Sequence, residues 1–65
     1  MIDGKLIREL RIKKGLNQDQ LAVLCGYADK SMISRLENGD INDIPLSKAI
    51  QLARELGVAP TKLLK

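Results

Sequence analysis

The chain has 65 residues, so it forms one domain at most, and a core this small is most easily built from packed helices. It contains one cysteine and no histidine, which excludes an intrachain disulfide and argues against a catalytic thiol or a histidine-based metal site. Its apolar runs are far shorter than the roughly 20 residues that cross a bilayer. We therefore expect a cytoplasmic protein with no cofactor, no metal and no membrane partner.

The formal net charge of +3 is concentrated in one half of the chain. Residues 1–35 carry seven basic and four acidic side chains, a balance of +3, whereas residues 36–65 carry four of each and are neutral. Basic clustering is typical of proteins that bind a polyanion. A solvated basic surface is the simpler explanation of the charge taken alone.

The first two predicted helices span 4–14 and 18–25. Asn17 is a suitable N-cap for the second of them, and Gln20 three residues later completes a capping-box pair. Cys25 lies on the apolar stripe of this helix, which predicts a buried core thiol. Gly26 ends the helix and opens a short turn. Two short helices joined by such a turn are typical of DNA-binding helix-turn-helix units.

The third predicted helix spans 30–37 and has two contrasting faces. Asp29 is placed to cap its start, and Ile33 and Leu36 form an apolar face. The opposite face is short, polar and cationic, which suits contact with base edges in a major groove. The alternative is that this face is simply solvated, since any surface helix presents a polar face. The candidate base-reading residues are Lys30, Ser31, Ser34 and Arg35.

Two further groups are candidates for supporting roles. The free N–H groups at the start of the second helix favour an anion, and Asn17 and Gln18 can add side-chain donors to a phosphate. Capping alone also explains Asn17, and the two roles are compatible. Arg11 and Glu37 each lie one position from a predicted core leucine. They are candidates for an ion pair at the rim of the core, with two solvated side chains as the alternative.

The rest of the chain is predicted to form a loop and two more helices. Pro45 is expected at the first position of a fourth helix over 45–56, where its missing N–H costs nothing. Apolar residues recur there at spacings of three and four, and a glycine ends the pattern. Pro60 is expected to begin a fifth short helix over 60–64, with Leu63 and Leu64 as its apolar contacts.

The chain resembles the phage repressor/Cro family, the xenobiotic-response-element-like helix-turn-helix regulators. The resemblance lies in three successive segments, LIRELRIKKGLNQDQLA, MISRLENG and AIQLARELGV. The resemblance implies a compact all-α, five-helix, lambda-repressor-like fold with the helix-turn-helix at the second and third helices. It implies base reading by Lys30, Ser31 and Arg35, with Ser34 a weaker candidate, and a buried pair of Arg11 with Glu37. The predicted phosphate contacts are Asn17, Gln18, Arg11, Asn38 and Asn42, and the resemblance implies that Gln18 also braces the recognition helix.

The chain departs from the family pattern at two places. The turn 26–28 before Asp29 is one residue longer than the commonest family turn, which can shift the base-reading positions by one. The loop after Gly39 carries Asp40 and Asp43 where phage repressors tend to be basic. Any phosphate contact in this loop must then come from backbone N–H groups or Asn42.

The leading interpretation is a repressor-like regulator of bacterial or phage origin that binds a palindromic operator in double-stranded DNA. We expect it to form a homodimer through the region of residues 60–64 and to associate with the nucleoid when bound. The alternative is a protein-partner-binding module on the same fold, of the antitoxin or co-activator type. We do not expect an enzyme, because the chain lacks histidine, a catalytic carboxylate pair and a glycine-rich phosphate loop. A single aromatic residue, Tyr27, argues against an RNA or single-strand binder.

Overall fold

The computed structural model describes residues 1–65 and is all-α, which confirms the predicted class. None of its helices combines the length and the apolar character that a membrane span requires. In chain order the elements are α1 (Gly4–Lys13), α2 (Gln18–Leu24), α3 (Ser31–Asn38), α4 (Leu46–Leu56) and a 3₁₀ helix (Pro60–Leu63).

The last element differs from the fifth helix predicted over 60–64. It is a four-residue 3₁₀ helix, and Leu64 leaves it in an extended conformation (φ −89°, ψ 140°). Leu64 is then 53% exposed, so only Leu63 of the two predicted apolar contacts enters the core. The backbone turns away from the helical path at Leu64 because this residue forms an antiparallel bridge with Ile2.

Local capping chemistry accounts for where the helices begin. Asp3 caps α1 by accepting a hydrogen bond from the Leu6 N–H at 3.2 Å. Asn17 and Gln20 form a reciprocal capping box on α2, with N···O distances of 2.7 and 2.8 Å. Pro45 precedes α4 as its N-cap and is not its first helical residue, so α4 begins one position later than predicted.

One hydrophobic core joins every element. Cys25 is fully buried within it, and burial raises the pKa of its thiol to about 11, because the apolar surroundings disfavour the thiolate. Leu46 and Ile50 are two of the apolar residues that recur at spacings of three and four in the predicted fourth helix, but they are 74% and 40% exposed and lie outside the core. The core residues are Ile2, Ile7, Leu21, Ala22, Cys25, Ile33, Leu36, Leu52, Ala53, Leu56 and Leu63.

Both ends of the chain are tied to the region around the carboxyl end of α3. The Asp3 N–H donates to the Leu63 carbonyl and the Lys65 N–H to the Met1 carbonyl, at 2.7 and 3.0 Å. The Ile2 N–H donates to the carbonyl of Asn42, in the loop after α3, at 2.7 Å. These hydrogen bonds bring together the first residues, the last residues and the loop after α3, which are distant in the sequence.

Candidate nucleic-acid interface

The exposed face of α3 is polar and lies opposite the side of the helix that enters the core. At 100° per residue, Ile33 and Leu36 point to one side of the helix, and both are buried. Positions i, i+3, i+4 and i+7 of α3 fall on the opposite side. The residues at these positions are Ser31, Ser34, Arg35 and Asn38; Ser34 is half-buried and the other three are exposed.

The start of α3 is ordered by Asp29. Its Oδ1 accepts a hydrogen bond from the Ser31 N–H at 2.9 Å, and bonds to Ser31 hold the pKa of the Asp29 carboxyl below its usual range. Lys30 occupies the N-cap position with a helix-like backbone (φ −76°, ψ −5°), so α3 begins one residue later than predicted. Lys30 is exposed and stands next to Ser31, at the amino end of the helix.

Neither cation of this surface is engaged within the protein. The structure contains one ion pair, between Arg11 and Glu37, and the side chains of Lys30 and Arg35 donate no hydrogen bond to another residue. Both side chains are exposed. Their charges are therefore available to an anionic partner or to guanine acceptors.

Glu37 holds the first three helices together from the inner side of α3. Arg11 of α1 contacts it through Nε–Oε2 at 2.7 Å and Nη2–Oε1 at 3.0 Å. Gln18 at the start of α2 adds an Nε2–Oε1 hydrogen bond of 3.2 Å. The hydrogen bond to Glu37 raises the pKa of the Arg11 guanidinium, so this group keeps its positive charge.

This network contains the predicted Arg11–Glu37 pair, and it engages the side chains of two residues that were also predicted to contact phosphate. Arg11 directs three of its donors inward, the third being Nη1 to the Leu16 carbonyl at 2.8 Å, and its side chain is 11% exposed. The amide nitrogen of Gln18 is likewise bonded to Glu37. Both side chains are structural links in this conformation. The backbone N–H of Gln18 has no partner in the protein and faces the free end of α2.

The other predicted phosphate residues occupy three different environments. The Oδ1 of Asn17 accepts the capping bond of α2, so this oxygen is already engaged. Asn38 is exposed at the carboxyl end of α3, and Asn42 is exposed in the following loop. The structure therefore brings Asn38 and Asn42 to one side of the molecule and leaves Asn17 at the start of α2.

Two α4 residues that the sequence did not single out clamp the turn between α2 and α3. Lys48 donates from Nζ to the Cys25 carbonyl at 2.8 Å and lies 4.8 Å from the centre of the Tyr27 ring. Gln51 donates from Nε2 to the Leu24 carbonyl at 3.2 Å. These contacts join residues more than 20 positions apart, so no local sequence pattern predicts them. They satisfy carbonyls at the carboxyl end of α2 and fix the long turn.

Comparison with known proteins identifies this arrangement of helices. A helix-turn-helix family model matches residues 7–63. No curated protein gives a significant sequence match to the chain. Among solved structures, SinR, the master regulator for biofilm formation, in complex with DNA, is 27% identical with a TM-score of 0.86, over 95% of this chain and 97% of that one.

Two further structures are similar over most of their length. The restriction-modification controller protein C.AhdI from Aeromonas hydrophila is 38% identical with a TM-score of 0.82, over 94% of this chain and 89% of that one. The P22 c2 repressor, solved with a synthetic operator, is 26% identical with a TM-score of 0.88, over 100% of this chain and 96% of that one. The chain belongs to the helix-turn-helix family of DNA-binding transcription regulators, of the phage repressor/Cro type.

Proposed function

We propose that the chain is a single DNA-binding domain of a repressor that places α3 in the major groove of a palindromic operator. The observation that carries this proposal is the exposed polar face of α3, which lies opposite the buried Ile33 and Leu36. A helix anchored in this way can enter a groove without disturbing the core. The adjacent α2 braces it through Gln18 and Glu37.

The side chains on this surface suit the reading of bases. Arg35 is exposed near the middle of α3, and a guanidinium can donate two hydrogen bonds to guanine O6 and N7. Lys30 at the amino end can reach the same acceptors. Ser31 and Ser34 are short, so they suit direct contact where the helix approaches the base edges most closely. Each hydroxyl can donate to or accept from either base pair.

The phosphate contacts would come from both sides of α3. The unpartnered N–H of Gln18 and the amide of Asn17 lie at the amino end of α2, where the helix dipole favours an anion. Asn38 and Asn42 supply exposed side-chain amides at the other end. Such contacts fix the position of the helix on the duplex but carry no base preference.

We further propose that two copies bind the two halves of the operator. Leu64 is 53% exposed beside the 3₁₀ helix Pro60–Leu63, and this region would form the two-fold contact. In such a dimer the half-sites lie about one helical turn apart, roughly 10 base pairs. A Leu64→Glu variant should retain binding to a single half-site but lose the cooperative occupation of two. Sedimentation of protein–DNA mixtures distinguishes the two stoichiometries.

Selection from random duplex DNA tests the proposal directly. We expect enrichment of a palindrome with half-sites about 10 base pairs apart, bound with an affinity that falls steeply with salt. Titration of the enriched duplex and a scrambled duplex at two salt concentrations separates sequence-specific binding from general electrostatic binding to DNA. Failure to enrich any sequence would contradict the proposal and favour a protein partner for the same fold.

A further inference from the structure

A polar cleft of about 260 Å³ lies where the amino end of α1 meets the carboxyl end of α3. Its walls come from three parts of the chain: the first residues with α1, the segment from α3 into the following loop, and the last residue. We call it the terminal cleft. The side chains that matter to the argument are Lys5, Asn38, Asn42 and Lys65.

The charge of the terminal cleft is positive. Lys5 and Lys65 line it, and both are exposed and free of ion pairs. Glu37 is the only acidic side chain in its walls, and this carboxylate is neutralised by Arg11 at 2.7 Å. The two lysine side chains therefore contribute +2, and no unpaired acidic side chain lines the cleft.

Amide donors accompany the two ammonium groups. The backbone N–H and side-chain amide of Asn42 have no partner in the protein. The amide nitrogen of Asn38 makes a single contact, 3.5 Å from the Ser34 hydroxyl, which is too long to hold the amide in place. Ammonium groups beside free amides are typical of sites for phosphate oxygens. The amino end of α1 is already capped by Asp3 and is not needed for this argument.

Asn38 connects the terminal cleft to the proposed base-reading surface. It lies on the exposed face of α3 with Ser31 and Arg35, and it also lines the cleft. A duplex that receives α3 in its major groove must pass its sugar–phosphate backbone over one end of that helix. We infer that the terminal cleft binds a backbone phosphate flanking the bases read by α3, through Lys5 and Lys65.

This inference rests on the proposed function and explains how a loop that carries Asp40 and Asp43 can face DNA. Neither carboxylate lines the cleft. The basic charge that the loop itself lacks is supplied by the two ends of the chain, because the Ile2–Leu64 bridge holds them beside Asn42. The sequence shows none of this, since Lys5 and Lys65 are 60 positions apart.

The experiment measures the affinity of a Lys5→Gln/Lys65→Gln variant for the selected duplex at several salt concentrations. Each phosphate contact contributes about 0.9 to the slope of log affinity against log salt, so the slope should become shallower by roughly 1–2. The ratio of affinities for the selected and scrambled duplexes should stay within about twofold of wild type. Circular dichroism melting of each variant shows whether it is folded.

Lys13→Gln/Lys14→Gln is the matched control, because it also removes two exposed lysines, here about 12–14 Å from Lys5 along the axis of α1. Equal slopes for this control and the double variant would overturn the inference, since they would show only the loss of general charge. A duplex trimmed flush with the selected sequence provides the second readout. The deficit of the double variant should disappear on it, and a deficit that persists would place the contact elsewhere.

The two proposals fail in different ways. If wild type enriches no sequence, the proposed function fails, and the inference fails with it. If wild type binds its selected duplex and the double variant keeps the wild-type salt slope, only the inference fails.

Discussion

Arg11 and Glu37, 26 positions apart, form a two-pronged ion pair that ties α1 to α3 with contacts of 2.7 and 3.0 Å. The Glu37 side chain is 2% exposed and that of Arg11 is 11% exposed. The pair therefore lies beneath the exposed polar face of α3 and fixes the position of that face relative to α1.

Removing one partner of this pair should be costly. Arg11→Met leaves a buried carboxylate without its counter-charge, and we expect the free energy of unfolding to fall by about 3–5 kcal/mol. The double variant Arg11→Met/Glu37→Leu should recover much of this loss, because it removes the unpaired charge as well. Urea denaturation of the three proteins checks both statements. A single variant as stable as wild type would show that the pair is solvated in solution.

Gly4→Ala should destabilise the fold for steric reasons. A Cβ at this position would lie 1.9 Å from the backbone carbonyl oxygen of Leu36, and backbone cannot swing aside as a flexible side chain can. We expect a loss of about 3 kcal/mol or more, at the upper end of overpacking costs. Gly15→Ala is the control, since nothing lies within 4 Å of its Cβ and only its positive φ of 74° opposes the change. Its cost should be roughly 1–2 kcal/mol. Equal losses would show that α1 and α3 are not in close contact.

The stability of the protein should fall as pH rises above about 9. Burial raises the pKa of the Cys25 thiol to about 11, so the folded chain keeps a proton that the unfolded chain releases between its ordinary pKa and 11. Each unit of pKa difference corresponds to about 1.4 kcal/mol lost over that window. Burial raises the pKa of Tyr27 as well, which acts in the same direction. Urea denaturation between pH 8 and 10.5 should show a shallower decline for Cys25→Ala, and parallel curves would contradict the assignment.

Arg35→Ala should weaken binding to the selected duplex by about 1–3 kcal/mol and relax its base preference at one position of each half-site. In the proposed complex, the substitution removes a guanidinium on the exposed face of α3 that donates to guanine O6 and N7. Fluorescence anisotropy with single-base variants of the duplex measures both effects. Arg54→Ala removes an exposed arginine near the end of α4 and should alter neither. If Arg35→Ala keeps the wild-type affinity and base preference, the base-reading positions on α3 are assigned in the wrong register.

Lys48→Met should loosen the turn between α2 and α3 and cost about 1 kcal/mol of stability. The substitution removes the 2.8 Å hydrogen bond to the Cys25 carbonyl and the cation over the Tyr27 ring. A double-mutant cycle with Tyr27→Leu should give a coupling energy of about 0.5–1 kcal/mol for the pair. Strictly additive losses would show that the ammonium group does not interact with the ring.

Part of the fold was predictable because its signals are local. The capping box of Asn17 with Gln20 and the bond from Ser31 to Asp29 join residues two or three positions apart, so residue types and spacing suffice to anticipate them. The polar face of α3 follows in the same way from the 3.6-residue period once Ile33 and Leu36 are assigned to the core. The family signatures extend over most of the chain, which allowed the family to be identified before the structure was known.

Residue types and their spacing were therefore enough to predict the all-α class, the starts of all five elements to within one residue, the buried thiol and the two-faced α3. The tertiary structure was needed to find that Lys48 clamps the turn and that the last segment is a 3₁₀ helix. It alone also placed Lys5 and Lys65 in one cleft. The physical reason is sequence separation: helix periodicity and capping act within about four residues, whereas these contacts form when the core closes and brings α1, α4 and both ends of the chain against α3.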